Sequence, residues 1–297
     1  MLVTRGGRGV TGYGNLPATL VRMSDQQLAL VTGTSSGIGL HTAVGLAAAG
    51  LRVVATMRDP GRADRLRAVA QENGVTLEVR ALDVTDEAQA TALVAELGRV
   101  DVLVNNAGRG SVATLEQLST GDLRAQLEVN YVGVAVLTRL VLPGMRAAGR
   151  GRIVTVSSVG GVVGQPFSDA YCGAKFAVEG LMQSLAPVVA AFGIGVSIVE
   201  PGAVASDFVS NVAGNVGGTA AGDPYAGLLA AYLKRASGSF ANAQSAPDAA
   251  RTVIEACLTP APQFRWQTSD NARTFAGLSL ADLDGSRVVG ATSAWVA

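Results

Sequence analysis

The sequence predicts an α/β fold, a doubly wound parallel sheet of about seven strands with helices on both faces. From Gln27 onward short apolar runs alternate with longer helical patterns, the order that lays helices over a parallel sheet. The runs are rich in Val, Leu and Ile with little polar alternation, as strands buried on both faces require. The first run leads through a glycine loop into a helix, the opening unit of a dinucleotide fold.

The elements follow in order. Residues 28–31 read as the first strand, 40–49 as the helix after the loop, and 52–56 as the second strand. A helix at 62–72, a third strand at 76–82 and a helix at 86–97, with Thr85 as its N-cap, come next. The fourth strand is expected at 100–104. A long helix at 122–142 should stop before Pro143-Gly144. The fifth strand falls at 153–156, a second long helix at 171–192, and the sixth strand at 196–199. Pro187 interrupts that helix, and a bend there is expected because an interior proline costs about 3 kcal/mol. Pro247-Asp248 opens a further helix, and 264–267 completes the sheet. There are no internal repeats and no second domain, so 24–297 is expected to form one domain.

The chain has 297 residues, 48% of them hydrophobic, and a formal net charge of zero. That is ample for a two-faced core, and the lack of a Lys/Arg cluster argues against a nucleic-acid or anionic-membrane surface. No apolar run approaches the eighteen or so residues of a membrane span. The two cysteines, Cys172 and Cys257, make no disulfide framework, which points to a reducing, cytoplasmic setting. One histidine, His41, excludes a multi-histidine metal site and leaves no second candidate for a Ser-His-Asp triad. Residues 1–22 carry Gly and Arg, no Asp or Glu, and no period. With Met23-Ser24 directly before the fold, residues 1–23 read as a disordered extension or a misassigned start.

Two constellations carry chemistry. In Thr32-Gly33-Thr34-Ser35-Ser36-Gly37-Ile38-Gly39, Gly33 permits a tight turn and Gly37 lets backbone approach a pyrophosphate. Gly39 lets the helix lie close to the sheet, and the helix N-terminus faces the phosphate. Ser35, Ser36 and Ile38 complete the loop. Further on, Tyr171 and Lys175 stand at i and i+4, on one face of a helix. A cation near a phenol favours the phenolate, whose ordinary pKa is near 10. Ser158, thirteen positions upstream, could hold a carbonyl oxygen while Tyr171 protonates it.

With these motifs, Asn105-Asn106-Ala107-Gly108, Asn130 and Pro201-Gly202, the chain resembles the short-chain dehydrogenase/reductases over residues 27–204, within the Rossmann-like folds. Ser157-Ser158-Val159-Gly160-Gly161, Pro166-Phe167-Ser168-Asp169-Ala170-Tyr171-Cys172 and Lys175-Phe176-Ala177-Val178-Glu179-Gly180-Leu181 are most similar to the 17β-hydroxysteroid dehydrogenase type 1-like branch. The resemblance implies a catalytic set of Asn130, Ser158, Tyr171 and Lys175. Lys175 would also bond the nicotinamide ribose, and Asn130 would open its helix around a water in a proton path. Asp83 and Val84 would contact adenine, and Asn105, Ala107 and Gly108 would pass beside its ribose. Pro201, Gly202, Val204 and Ser206 would brace the nicotinamide. Members commonly pair through the two long helices, so a homodimer or homotetramer is expected.

The end of the second strand bears on nucleotide choice. A carboxylate there suits the 2′-hydroxyl of NAD, whereas this chain has Met57-Arg58, and a guanidinium suits a 2′-phosphate. NADP(H) is expected, with NAD(H) through Asp59 the alternative. Residues 207–246 should form a lid over the substrate. Their apolar stripe runs through Tyr225, Leu228, Leu229, Tyr232 and Leu233, and Tyr225, Tyr232 or Gln244 could meet a polar group. Val159, Val163, Phe167 and Phe208 would suit an apolar ring. The expectation is a ketone or aldehyde reductase, reversible as an alcohol dehydrogenase, and a non-catalytic NADP(H)-binding sensor or scaffold is the alternative.

Overall fold

The computed structural model describes residues 26–206, 222–241, 243–281, 283, 284 and 286. The N-terminal extension, Phe208 and residues 207–221 and 242 of the expected lid lie outside the described residues.

Seven parallel strands form the central sheet: β1 (Leu28–Thr32), β2 (Arg52–Met57), β3 (Glu78–Ala81), β4 (Val102–Asn105), β5 (Gly151–Val156), β6 (Ile194–Glu200) and β9 (Arg265–Gln267). Their order is β3-β2-β1-β4-β5-β6-β9, so the chain reverses direction of build between β1 and β4, where such folds bind ligands. All five residues of β1 are buried, which is why that strand reads as an unbroken apolar run. A separate two-stranded sheet pairs β7 (Val204–Ala205) with β8 (Gln244–Ser245).

The helices are α1 (Gly37–Ala48), α2 (Asp64–Glu72), α3 (Glu87–Leu97), α4 (Thr120–Leu127), α5 (Gly133–Ala148), α6 (Asp169–Ala190), α7 (Ala226–Ala241), α8 (Ala246–Leu258) and α9 (Asp270–Gly277). Two buried clusters flank the sheet. One packs Leu137, Val141, Met145, Val178 and Met182 against Leu30 and Leu103. The other packs Leu40, Val44, Val253 and Ile254 against Val31, Val53 and Val104.

Several boundaries differ from expectation. Asp86, not Thr85, caps α3, accepting from the Gln89 N–H at 2.9 Å. Thr85 instead bonds the Asp83 carboxylate at 2.7 Å. The expected stop before Pro143 does not occur. The helix runs on to Ala148 because fully buried Met145 anchors its last turn, and Gly149, with φ +63°, ends it. Pro187 likewise sits buried inside a continuous α6. In both places packing outweighs the missing backbone donor. The run Thr120–Ala148 is apolar enough to cross a membrane by length and composition, with mean hydropathy 1.2. Its buried apolar side chains Val134, Leu137, Val141 and Met145 belong to the core against the sheet.

Candidate active site

The glycine loop joins β1 to α1. Gly33 and Gly37 hold positive φ of 71° and 60°, a region that L side chains rarely adopt. A Cβ on Gly33 would lie 2.7 Å from Ala107 Cα, and one on Gly39 2.2 Å from Asn106 Nδ2. The loop is thus pressed against the segment after β4, with no space for side chains. Asn106 donates to the carbonyls of Thr32 and Gly33 at 2.8 and 2.9 Å. The N–H groups of Asn106 and Ala107 both reach Thr32 Oγ1 at 3.0 Å. Sequence reasoning gave Thr32 and Asn106 no such part, since each looks like an ordinary loop residue until β1 and β4 are neighbours.

α1 opens at Gly37 with Ser36 at its N-cap, yet the Ser36 hydroxyl makes no capping bond and no acidic residue stands in the first turn. By contrast α3, α8 and α9 have capping side chains. Unfilled N–H groups, the positive end of the dipole and glycines without Cβ suit a pyrophosphate, so the loop fits a dinucleotide. Ser206 closes the far side, its Cβ 3.3 Å from where a Gly37 Cβ would stand. Val204, buried in β7, packs with Ile38.

The remaining candidate cofactor residues fall into two groups. Arg58 is exposed after β2 and close enough to Asp83 to help hold that carboxyl low, though Thr85 bonds matter more among the lowering influences. Asp59 accepts the Gly61 N–H at 2.8 Å and caps the turn Pro60–Arg62. The Asn105 amide points into the core, toward Thr138 at 3.2 Å and Thr155 at 3.4 Å. The Val84 carbonyl would lie 2.5 Å from a Cβ on Gly133, so the loop after β3 packs on α5. The Pro201 carbonyl accepts from Val159 N–H at 3.0 Å, and Gly202 lies against Ala272 of α9.

Ser158, just past the end of β5, converges with Tyr171 and Lys175 in the first two turns of α6. Ser158 Oγ accepts the Gly160 N–H at 3.0 Å, which leaves its proton for the Tyr171 phenol, its hydrogen-bond partner. Lys175 Nζ lies 5.9 Å from the Tyr171 ring centroid and donates to the Val156 carbonyl at 2.9 Å. Burial pushes the phenol up to about 12, against the pull of the Ser158 hydrogen bond. Burial also brings Lys175 down to about 8, while the Glu179 carboxylate holds it up. The expected lowering of the phenol by its cation does not prevail: desolvation sets the direction, and the Ser158 hydrogen bond is what pulls against it. The burial that brings Nζ to the tyrosine also weakens the cation. Ser157, the competing hydroxyl, is buried on the opposite side, near Glu179 and Gly161.

Asn130 sits fully buried in a five-residue π turn, Glu128–Val132, between α4 and α5. Its amide donates to the Arg109 carbonyl at 2.8 Å and to the Gln126 carbonyl and side chain at 3.1 and 3.0 Å, and its oxygen accepts from Arg109 N–H at 3.2 Å. Widened turns of this kind occur at functional sites. Asn130 Oδ1 and Lys175 Nζ both border Gly108, 3.2 and 3.9 Å from where its Cβ would stand.

On the lid side, Phe167, Val112 and Leu229 form a small buried cluster with Tyr225 and Tyr232 beside it. Leu228 and Leu233 are exposed instead. Phe167, with φ +57°, is the only non-glycine at positive φ among the described residues, and its ring lies 5.5 Å from that of Tyr232. Gln244 gives its amide N–H to the Thr268 carbonyl at 2.7 Å.

Comparison with known proteins agrees with this geometry. Residues 27–216 match the short chain dehydrogenase family. The chain is 37% identical over 278 residues to 17-beta-hydroxysteroid dehydrogenase type 1 of Mus musculus, covering 90% of this chain and 80% of that protein. It is 39% identical over 278 residues to retinol dehydrogenase 8 of Homo sapiens, covering 89% and 88%. A short-chain dehydrogenase structure from Streptomyces avermitilis superposes with TM-score 0.73 at 32% identity, covering 92% of this chain and 98% of that one. The chain belongs to the short-chain dehydrogenase/reductase family of nicotinamide-dependent oxidoreductases, in the branch that includes these steroid and retinol enzymes.

Proposed function

We propose that the protein is an NADP(H)-dependent oxidoreductase that interconverts a ketone or aldehyde and its alcohol on a largely apolar, cyclic or steroid-like substrate. The observation that carries the reading is the hydrogen-bonded Ser158–Tyr171 pair with the Lys175 ammonium beside the ring. When bound, the nicotinamide supplies the hydride that adds to the carbonyl carbon. The carbonyl oxygen takes the Tyr171 proton while Ser158 holds it, leaving a phenolate. An alkoxide is a stronger base than a phenolate, so even a phenol raised to about 12 gives up its proton downhill. Lys175 stabilises the phenolate, and Asn130 continues the proton path past Gly108.

Arg58 supports NADP(H), as does the engagement of Asp59 Oδ1 in its own turn. The Ser36 hydroxyl, unused as a cap, adds a donor for the 2′-phosphate. The apolar substrate rests on the cluster around Phe167 and on the relatives named for a steroid and for retinol. Buried, unpaired Cys172 and Cys257 suit a reducing, cytoplasmic compartment. Exposed Phe176 and Val188 on α6 and Phe192 just after it, with Leu127 and Val132 before α5, suit a homodimer or homotetramer. Oxidation of NADPH and of NADH with a panel of steroid ketones, retinal and small cyclic ketones tests the reading. Cofactor binding without turnover of any carbonyl would favour the sensor alternative.

A further inference from the structure

A four-charge cluster lies behind the proton-transfer site. Arg265 of β9 donates to Glu179 of α6 at 2.6 Å and also pairs with Glu200 of β6. The other Glu200 oxygen accepts from Gln267 at 2.8 Å. Lys175 stands one helical turn before Glu179. All four charged side chains are no more than 5% exposed. The groups set against Glu179 are Lys175 on its own helix, Ser157 after β5, Glu200 and Arg265. Two carboxylates thus share one guanidinium, and Lys175, whose ammonium donates to the neutral Val156 carbonyl, supplies the second positive charge.

We propose that Glu179, fixed by Arg265, is the counter-charge that keeps Lys175 protonated, and is thereby a positioning residue for Tyr171. The proposal deepens the catalytic reading above and rests on Lys175 acting there. With all four groups ionised the cluster is neutral. Without the Glu179 charge, two buried cations face one carboxylate. Arginine does not release its proton under these conditions, so Lys175 does. In support, Glu179 is the one neighbour that holds the lysine up against burial.

The chain contains only two lysines, Lys175 and Lys234, so the charge can be read directly. Protein labelled with 13C at lysine Cε gives two resonances, and Lys234→Arg assigns them. In the wild type Lys175 should titrate near 8, and the resonance of exposed Lys234 serves as the internal reference. Glu179→Gln keeps the shape and leaves Arg265 paired with Glu200. It should lower the Lys175 midpoint by about one unit, a tenfold loss of proton affinity, without moving Lys234. If that variant fails to fold, Glu179→Met, of similar length, is read in its place. A Lys175 midpoint that stays at its wild-type value overturns the proposal. Tyr171→Phe tests the catalytic reading separately, so a failure of either is visible without the other. The pH profile of reduction supplies a second readout. A charge role makes Glu179→Gln diverge from wild type progressively above neutrality, whereas an equal loss at every pH marks a merely structural residue and also overturns the proposal.

Discussion

Tyr171 holds its proton more firmly than a free phenol because desolvation penalises the phenolate more than Ser158 stabilises it. Removing that hydroxyl should leave the fold and NADPH binding intact, while turnover falls by about two orders of magnitude or more. Tyr171→Phe with most of its activity retained would remove the tyrosine from the mechanism. Arg58→Ala tests the nucleotide reading. If the guanidinium meets the 2′-phosphate, NADPH affinity should drop roughly ten- to hundredfold while NADH affinity barely changes. Equal losses would return Arg58 to the solvated surface. Glu179 gives a pH signature in stability. Burial and then Glu200 raise its carboxyl from 4.5 to about 7, against Arg265. Between those values the folded protein holds a proton that the unfolded chain has released, so this group's contribution to stability declines as pH rises through the window. Glu179→Gln lacks that slope. Its melting temperature relative to wild type should therefore rise from pH 5 to pH 8, and a difference independent of pH would contradict the ionisation.

At the scale of elements, the junction of β1, α1 and the segment after β4 depends on close backbone approach. A Cβ on Gly39 would meet the Gly33 carbonyl at 2.4 Å as well as the Asn106 amide, and the carbonyl is backbone that cannot swing away. Gly39→Ala should therefore cost about 1–3 kcal/mol, or roughly 2–10 °C in melting temperature for a domain of this size. It should also weaken NADPH, because Asn106 holds the loop that carries the phosphate site. Wild-type melting in this variant would mean the loop relaxes without effect. The long helices differ in character. Val178 and Met182 of α6 face the core, and Leu181 and Leu185 pack partly against it, while Phe176 is exposed. The surplus apolar surface is thus at Phe176 and Val188 of α6 and at Phe192 just beyond it, rather than along the whole stripe.

For the whole molecule, apolar side chains exposed on α6 and before α5 suggest a second copy of the chain as the cover. Light scattering should give at least a dimer at micromolar concentration, and Phe176→Asp should shift it toward monomer. A fully active monomeric wild type would refute the pairing. A chain beginning at Met23 should match the full-length protein in melting temperature and NADPH affinity, because residues 1–22 offer no apolar face or motif. A drop of several degrees would show that the extension packs on the domain.

The sequence by itself determined the parallel sheet, because strands buried on both faces are apolar along most of their length, as β1 is from Leu28 to Val31. It also determined the loop and the Ser158, Tyr171 and Lys175 positions, since local spacing on a strand and a helix fixes which side chains can meet. Only the tertiary structure decided what depends on neighbours remote in sequence. Met145 carried α5 through Pro143 by burial, which a local propensity cannot register. Asn105 turned inward to Thr138 and Thr155, while Asn106, indistinguishable from it in the sequence, tied two loops together. The Arg265–Glu179–Glu200 cluster spans 86 and 65 residues of chain, and no local pattern announces it. The sign of the Tyr171 shift was decided in the same way. Sequence places the cation beside the phenol, but desolvation is a property of everything packed around them.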